Sequence, residues 1–236
     1  MDSLPVPTDE PSRAQGAEEP QPHEIGQRLA ALRRQRGIKV SALAREVGVS
    51  PSLVSQIERG QSRPSVSTLF GLAEALRVPV DAFLRDHEPD ALRDPGSAAQ
   101  AQEDSPAARR ATRNRYLVRR RDRDVIEIEG GVRWESLTPR QSDDLEFLEL
   151  VYAPNAQSSP TLYRHPGEEM VLVLSGQLDI YVGFERFRLE PGDSIEFPSS
   201  MPHRYVNPTD ETVRAVTVIR HDYPPADRSQ DPHRRP

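Results

Sequence analysis

The chain has 236 residues, 31 basic and 37 acidic side chains, a formal net charge of −6 and no cysteine. Without cysteine, disulfides and thiolate metal sites are excluded, and no run approaches the ~20 apolar residues that a membrane-spanning helix requires. The N-terminus has no basic start followed by an apolar stretch, so the chain reads as unexported, soluble and cytoplasmic.

Three segments are too polar to pack: residues 1–23, rich in Pro, Glu and Gln; 86–115, rich in Ala, Asp, Arg and Pro; and 221–236, rich in Pro, Arg and Asp. Such segments cannot bury enough apolar area to offset chain entropy, so they read as tail, linker and tail. Two folded parts remain, of opposite charge. Residues 24–85 carry ten basic and five acidic side chains, net +5, and residues 116–220 carry twelve and eighteen, net −6. Nucleic acid would prefer the first.

Ile25, Leu29 and Leu32 fall at helical spacing and predict a first helix whose Arg28, Arg33 and Arg34 remain solvated, with Gly37 as its C-cap. Ser41 is expected to cap a second helix that turns Leu43, Ala44 and Val47 inward, and Gly48 supplies the positive φ of a sharp turn. Ser50 and Pro51 form a cap and first-turn pair that starts a third helix. There Val54 and Ile57 point inward, Ser52, Ser55 and Gln56 point outward, and Gly60 closes the helix. Leu69, Leu72, Ala73 and Leu76 predict a fourth helix, and Val80 to Leu84 a last turn.

The segments LAREVGVS, SQIERG, RPS at Arg63 to Ser65 and AEAL at Ala73 to Leu76 together resemble the five-helix, lambda-repressor-like domain of XRE-type helix-turn-helix regulators. The resemblance covers about sixty residues and departs at Ala42, where the family often has a polar residue. It implies that the third helix enters the major groove by its N-terminal end. Ser50, Ser52, Ser55 and Gln56 would then face the DNA, Gln56 being a type that pairs bidentately with adenine. Lys39, Arg59 and Arg63 would hold phosphates and fix register.

From Tyr116 the pattern changes to short runs rich in Val, Ile, Leu, Phe and Tyr between turn residues. Leu145 to Tyr152, Met170 to Leu174, Leu178 to Phe184, Ser194 to Phe197 and Thr212 to Ile219 read as strands of a sandwich or barrel. Pro198 ends one strand and His203 opens another. Trp134, Phe147, Tyr152, Phe184 and Phe197 are candidates for lining a cavity or filling a core. Arg119, Arg120, Arg121 and Arg123 form a basic cluster, either an added phosphate contact or the exposed face of an edge strand.

Tyr163 to Gly176 (YRHPGEEMVLVLSG) and Gly192 to Asn207 (GDSIEFPSSMPHRYVN) resemble the two cupin motifs, which implies a double-stranded β-helix, or jelly-roll, barrel. The chain is thus expected to be an α + β protein of two domains. In metal-bearing cupins the motif positions are two histidines, a glutamate and a distal histidine; here they fall on Tyr163, His165, Glu169 and His203. Tyrosine replaces the first histidine, and Gln157 stands where the motif usually begins with glycine. The remaining three are chemically competent for Zn, Fe, Mn or Ni as divalent ions; the alternative is a vestigial site whose polar groups bond within a pocket. Strand alternation turns Arg164 and Glu168 away from the interior.

Together the resemblances imply a transcriptional regulator that binds a double-stranded DNA operator as a homodimer, its cupin domain sensing a small-molecule effector or a metal. Two other readings remain open. One is a mononuclear iron oxidase or epoxidase carrying a helix-turn-helix-like domain, in which Tyr163 lies near the substrate; the other is a DNA-binding dimer whose cupin domain serves only assembly. A flexible linker transmits orientation poorly, so control would run through dimerisation or direct packing of the domains.

Overall fold

The computed structural model describes residues 23–84, 116–139, 142 and 144–221. The expected linker at 86–115 lies outside them, as do the expected tails apart from His23 and His221.

The N-terminal part holds α1 (His23–Gln35), α2 (Val40–Val47), α3 (Pro51–Glu58) and α4 (Val66–Leu76). The five expected helices are therefore four among the described residues, followed by a 3-10 turn at Val80–Phe83. Pro79 precedes that turn in an extended conformation, and Ala82 and Leu84 donate three residues back, to Pro79 and Asp81, so only tight 3-10 bonds form. The expected cap at Ser41 is also corrected. Helix α2 starts two residues earlier, capped from Lys39, whose carbonyl accepts from Ala42 and Leu43, each at 3.0 Å. Gly48 ends α2 at φ 79°, and Ser50 Oγ accepts from the Leu53 amide at 3.1 Å to cap α3.

Leu29, Leu43, Val54, Ile57, Leu69, Leu72 and Leu76 are all buried, as their spacing predicts. Of the arginines of α1, Arg34 is exposed as expected, whereas Arg28 and Arg33 are half-buried. Arg33 is paired in two places with Glu58 of α3, and Arg28 Nη1 donates to the Phe83 carbonyl at 3.0 Å. The hydrogen bond from Arg33 to Glu58 raises the guanidinium pKa, with burial acting in opposition.

The C-terminal part begins with a 3-10 turn at Arg120–Asp122 and continues in nine strands: β1 (Val125–Ile128), β2 (Val132–Ser136), β3 (Leu145–Tyr152), β4 (Glu168–Ser175), β5 (Leu178–Val182), β6 (Glu185–Leu189), β7 (Ser194–Pro198), β8 (His203–Val206) and β9 (Val213–Arg220). They form a six-stranded sheet, ordered β1-β2-β3-β9-β4-β7, and a three-stranded sheet, β6-β5-β8. The last strand thus inserts between β3 and β4, and every pair of neighbouring strands is antiparallel.

Instead of the closed barrel expected, the described residues make two sheets, with the connection between β3 and β4 tied to β8 by the isolated bridges Gln157–Val206 and Tyr163–His203. Pro160 and Pro166 interrupt the connecting segment, and proline has no amide to carry a ladder onward. Gly130 and Gly131, at φ 81° and 80°, make the tight hairpin between β1 and β2. Along β9, Val213, Ala215, Thr217 and Ile219 are buried in alternation with less buried neighbours, which gives the sheet one inner face.

The two parts pack directly together. The Val66 amide donates to the Ser158 carbonyl at 3.3 Å, the Glu129 amide to the Pro64 carbonyl at 3.0 Å, and the Val80 amide to Glu146 Oε1 at 2.6 Å. Helix α4 therefore has two apolar sides: the Leu69, Leu72 and Leu76 stripe faces the helices, while Phe70 enters the β domain. Burying a side chain of that size stabilises by about 1.5–3 kcal/mol.

Candidate functional site

Helix α3 carries the first set of expected residues. Ser50, Ser52 and Gln56 are exposed on it or at its cap, and Ser55 is half-buried. Lys39 and Arg59 are exposed as well, and Arg59 Nε donates to Gln61 Oε1 at 2.9 Å. Arg63 stands apart, because its guanidinium lies 3.9 Å from Glu127 of β1, at the contact with the β domain. The tight approach of α1 to α3 is made at Gly26, where an added Cβ would lie 2.2 Å from the Ile57 carbonyl oxygen.

The second set converges inside the β domain. His165 comes from the segment before β4, Glu169 from β4 and His203 from the start of β8; the three are buried, with one ligand atom from each within 4.8 Å of the others. Glu169 Oε2 lies 3.4 Å from His165 Nε2 and 3.5 Å from His203 Nε2. Donors about 2.1 Å from one cation are separated by about 3.0–3.4 Å, so the spacing suits a divalent ion.

The surroundings orient these donors. His165 Nδ1 lies 3.3 Å from the Pro166 carbonyl and His203 Nδ1 lies 2.8 Å from the Met201 carbonyl, which assigns the proton to Nδ1 and leaves Nε2 as the lone-pair nitrogen. Thr217 Oγ1 donates to Glu169 Oε1 at 3.2 Å, leaving Oε2 for the centre. The three inward atoms, His165 Nε2, Glu169 Oε2 and His203 Nε2, have no hydrogen-bond partner. Buried polar atoms of this kind cost free energy unless a further group satisfies them.

Electrostatics favour a neutral His203 and an ionised Glu169. Burial lowers the His203 pKa, against the opposing charge of Glu169, and holds the ring neutral. Burial acts to raise the Glu169 carboxyl, but the adjoining His165 and His203 rings outweigh it and bring the net below the ordinary value. Neutral imidazoles and a carboxylate are the forms that bind a cation.

Tyr163 packs edge-on against His203, with ring centroids 4.5 Å apart. Burial pushes its hydroxyl well above the usual tyrosine range, so it stands beside the triad as a neutral phenol. Trp134, Tyr152 and Phe197 are buried in the interior, whereas Phe147 is half-buried and Phe184 is wholly exposed at the β5–β6 hairpin. Arg164 is exposed, and Glu168 pairs outward with Arg220. The basic cluster is divided: Arg119, Arg120 and Arg121 are exposed on and beside a 3-10 turn and not on an edge strand, while Arg123 bridges Glu135 and Glu149.

Phe70 is the residue that the sequence pattern leaves without a role. Its ring stacks on His165 with centroids 3.8 Å apart and planes inclined by 7°, and it meets Trp134 edge-on at 5.6 Å. Thr217 and Tyr205 also reach the triad without being marked by the motifs, through the hydrogen bond to Glu169 and the ring contact with His203 at 6.2 Å.

Comparisons with known proteins agree with both halves. A helix-turn-helix family model matches residues 29–83, and a cupin domain model matches residues 148–219. The chain is 29% identical over 194 residues to the HTH-type transcriptional regulator SutR of Escherichia coli (strain K12), covering 82% of this chain and 92% of that protein. It is 39% identical over 54 residues to the uncharacterized HTH-type transcriptional regulator y4dJ of Sinorhizobium fredii, covering 23% of this chain and 70% of that protein. In fold it is similar to a crystal structure of an HTH_3 family transcriptional regulator from Vibrio cholerae, with a TM-score of 0.60, 24% identity, and coverage of 86% and 97% of the two chains. Among the described residues no helix is long and apolar enough to cross a membrane.

Proposed function

The chain belongs to the XRE-type helix-turn-helix transcriptional regulators with a C-terminal cupin domain, and from that premise we propose that it is a cytoplasmic, homodimeric operator-binding protein whose cupin domain holds a divalent metal and senses a small molecule. The observation that carries the DNA half is α3: capped by Ser50, anchored by Val54 and Ile57, it turns Ser52 and Gln56 outward. Gln56, with Ser52 and Ser55, reads base edges in the major groove, while Lys39 and Arg59 hold phosphates. Arg63 contributes at the domain contact as well as to the positive face. A two-fold dimer matches an operator whose half-sites are one helical turn apart, ~34 Å.

The observation behind the sensing half is the set of three unpartnered donor atoms on His165, Glu169 and His203. A cation there would supply a fixed positive charge. The regulator reading is preferred to the iron oxidase because relatives that align over 82% of the chain, and one that matches the helical part alone, are named as transcriptional regulators.

Selection of operators from randomised duplex DNA tests the central claim. The intact chain is expected to enrich one two-fold sequence, and Gln56→Ala to lose discrimination of about 1–3 kcal/mol at one base position of each half-site while retaining nonspecific affinity. Enrichment of no sequence by the intact chain would remove the operator reading, and an unchanged preference would remove Gln56 from it.

A further inference from the structure

The interior of the β domain around the triad is covered by a residue of the helical domain. Phe70 of α4 is 5% exposed and lies flat on His165, while its edge contact reaches Trp134. With Phe70 in place the triad atoms are sealed from solvent, His203 being 0% exposed and Glu169 3%. Two further donors in this interior lack acceptors. Trp134 Nε1 and Tyr152 Oη are buried without a hydrogen-bond partner, and Tyr152 lies close to Trp134 and Ser158 while meeting neither in bonding geometry. The pair lies beside the triad: the Phe70 ring meets both Trp134 and His165, and the Tyr205 ring lies 6.3 Å from that of Tyr152 and 6.2 Å from that of His203.

We propose that Trp134 and Tyr152 form an effector subsite for a compact carboxylate, and that Phe70 is its plug, so that ligand binding and docking of α4 exclude one another. The inference deepens the sensing role proposed above and rests on that role. An indole N–H and a phenol O–H, neither with an acceptor, suit the two oxygens of a carboxylate, and a cation held by the triad would offset the Glu169 charge and favour an anion there. The room for such a molecule is the space that the phenyl ring fills. Entry therefore displaces Phe70, and with it the Val66–Ser158 and Glu129–Pro64 backbone bonds that hold α4 and its leading loop on the β domain. Because α4 packs on the other helices through Leu69, Leu72 and Leu76, the whole helical domain moves with it. Ligand and docked domain compete, so the ligand shifts the population of DNA-binding arrangements through a difference in affinity.

Trp134 is the single tryptophan of the chain, so its emission reports both events. The full-length protein, loaded with Zn(II) and verified by elemental analysis, is titrated with pyruvate while Trp134 emission and amide exchange over residues 66–76 are followed. Pyruvate is expected to change the emission and to speed exchange of the α4 amides at least threefold. Phe70→Ala is expected to bind pyruvate at least tenfold more tightly, and Phe70→Leu, which keeps an apolar side chain and guards against misfolding, to fall between the two. Binding that leaves α4 exchange unchanged, or equal affinity in all three proteins, overturns the plug. No emission change in any of them overturns the carboxylate subsite. Failure of the protein to retain Zn(II) is read separately, and it removes the metal reading while the metal-free chain still tests the plug by the same two signals.

Discussion

The Val80 amide donates to Glu146 Oε1 at 2.6 Å across the boundary between the two domains, and His221 Nε2 lies 2.7 Å from the same oxygen. Glu146 is 1% exposed, so one buried carboxylate joins the turn after α4 to β3 and to the end of β9. Glu146→Ala leaves a buried amide and an imidazole without their acceptor and is expected to cost about 1–3 kcal/mol. Glu146→Gln keeps an acceptor oxygen and should lose less. Thermal denaturation and the exchange rate of the Val80 amide check this, and an unaltered Val80 rate in Glu146→Ala would take the bond out of the domain contact.

Gly26 fixes the spacing of α1 against the recognition helix. An added Cβ would lie 2.2 Å from the Ile57 carbonyl and 2.7 Å from that of Glu58, and both are backbone atoms that cannot rotate away. Gly26→Ala is therefore expected to destabilise the helical domain by at least the ~1–3 kcal/mol typical of overpacking, and to weaken DNA binding in step. Circular dichroism melts read the helical loss; a melt coincident with the unmutated protein would show that α1 can shift at no cost.

Much of this arrangement is legible in the sequence, because local rules and tertiary packing agree there. Ser50, Pro51 and Gly48 obey cap and turn chemistry that depends only on neighbours, and they stand where that chemistry puts them. Strand β3 runs over the very residues its apolar pattern marks. The misses have a common physical origin. Glu185–Leu189 forms β6 although three of its five residues are charged, since Arg186 and Arg188 reach across to Asp179 on β5. Arg33 looks solvated until its partner Glu58 is known to lie across the helix pair. Phe70 offers a faint signal, a large aromatic beside the Leu69 stripe and off its line. Such a residue needs a second surface, but nothing local identifies that surface as the cupin triad.

The His165, Glu169 and His203 donors predict metal-linked stability. A cation that binds only the folded chain stabilises it by about 2.7 kcal/mol at a hundredfold excess over its Kd. Zn(II) should therefore raise the thermal midpoint of the intact protein, with a smaller rise or none in His203→Ala and Glu169→Gln. Elemental analysis supplies the stoichiometry, expected to be one ion per chain. An intact protein that neither retains nor responds to Zn(II), Fe(II), Mn(II) or Ni(II) would make the triad a self-contained polar cluster.

Asn207 closes the second cupin motif as a structural staple. Its Nδ2 donates to the Ala153 and Glu211 carbonyls at 2.8 and 2.7 Å, and its Oδ1 accepts from the Thr209 amide at 3.0 Å. The side chain is 0% exposed, so water cannot replace these bonds. Asn207→Ala should cost about 1–3 kcal/mol. Asn207→Asp has nearly the same shape but sets a carboxylate against two carbonyl oxygens, and it should be no better tolerated than alanine. Chemical denaturation compares the three, and an Asp variant as stable as the original would show that shape, not donation, is what the site needs.

Acid should weaken the β domain through Glu149 and Asp179. Burial acts to raise the Glu149 carboxyl, but hydrogen bonds from Arg214 and Arg123 outweigh it, and the net pKa falls below the ordinary 4.5. Asp179 is lowered in the same way, with Arg188 and Arg186 outweighing burial. A carboxyl whose folded pKa is depressed binds fewer protons folded than unfolded at acid pH. Its contribution is thus complete above the unfolded value, near 4.5 for Glu149, and is lost as pH falls from there through the lower folded value. Denaturation midpoints should be flat near neutrality with respect to these two groups and fall progressively below about pH 4.5. Arg214→Ala removes one of the partners of Glu149, so its folded pKa moves back toward the unfolded one and the acid-dependent part of the curve becomes shallower. If Arg214→Ala lowers stability equally at pH 7 and pH 3, the residue acts through packing and the ion pair carries none of the pH dependence.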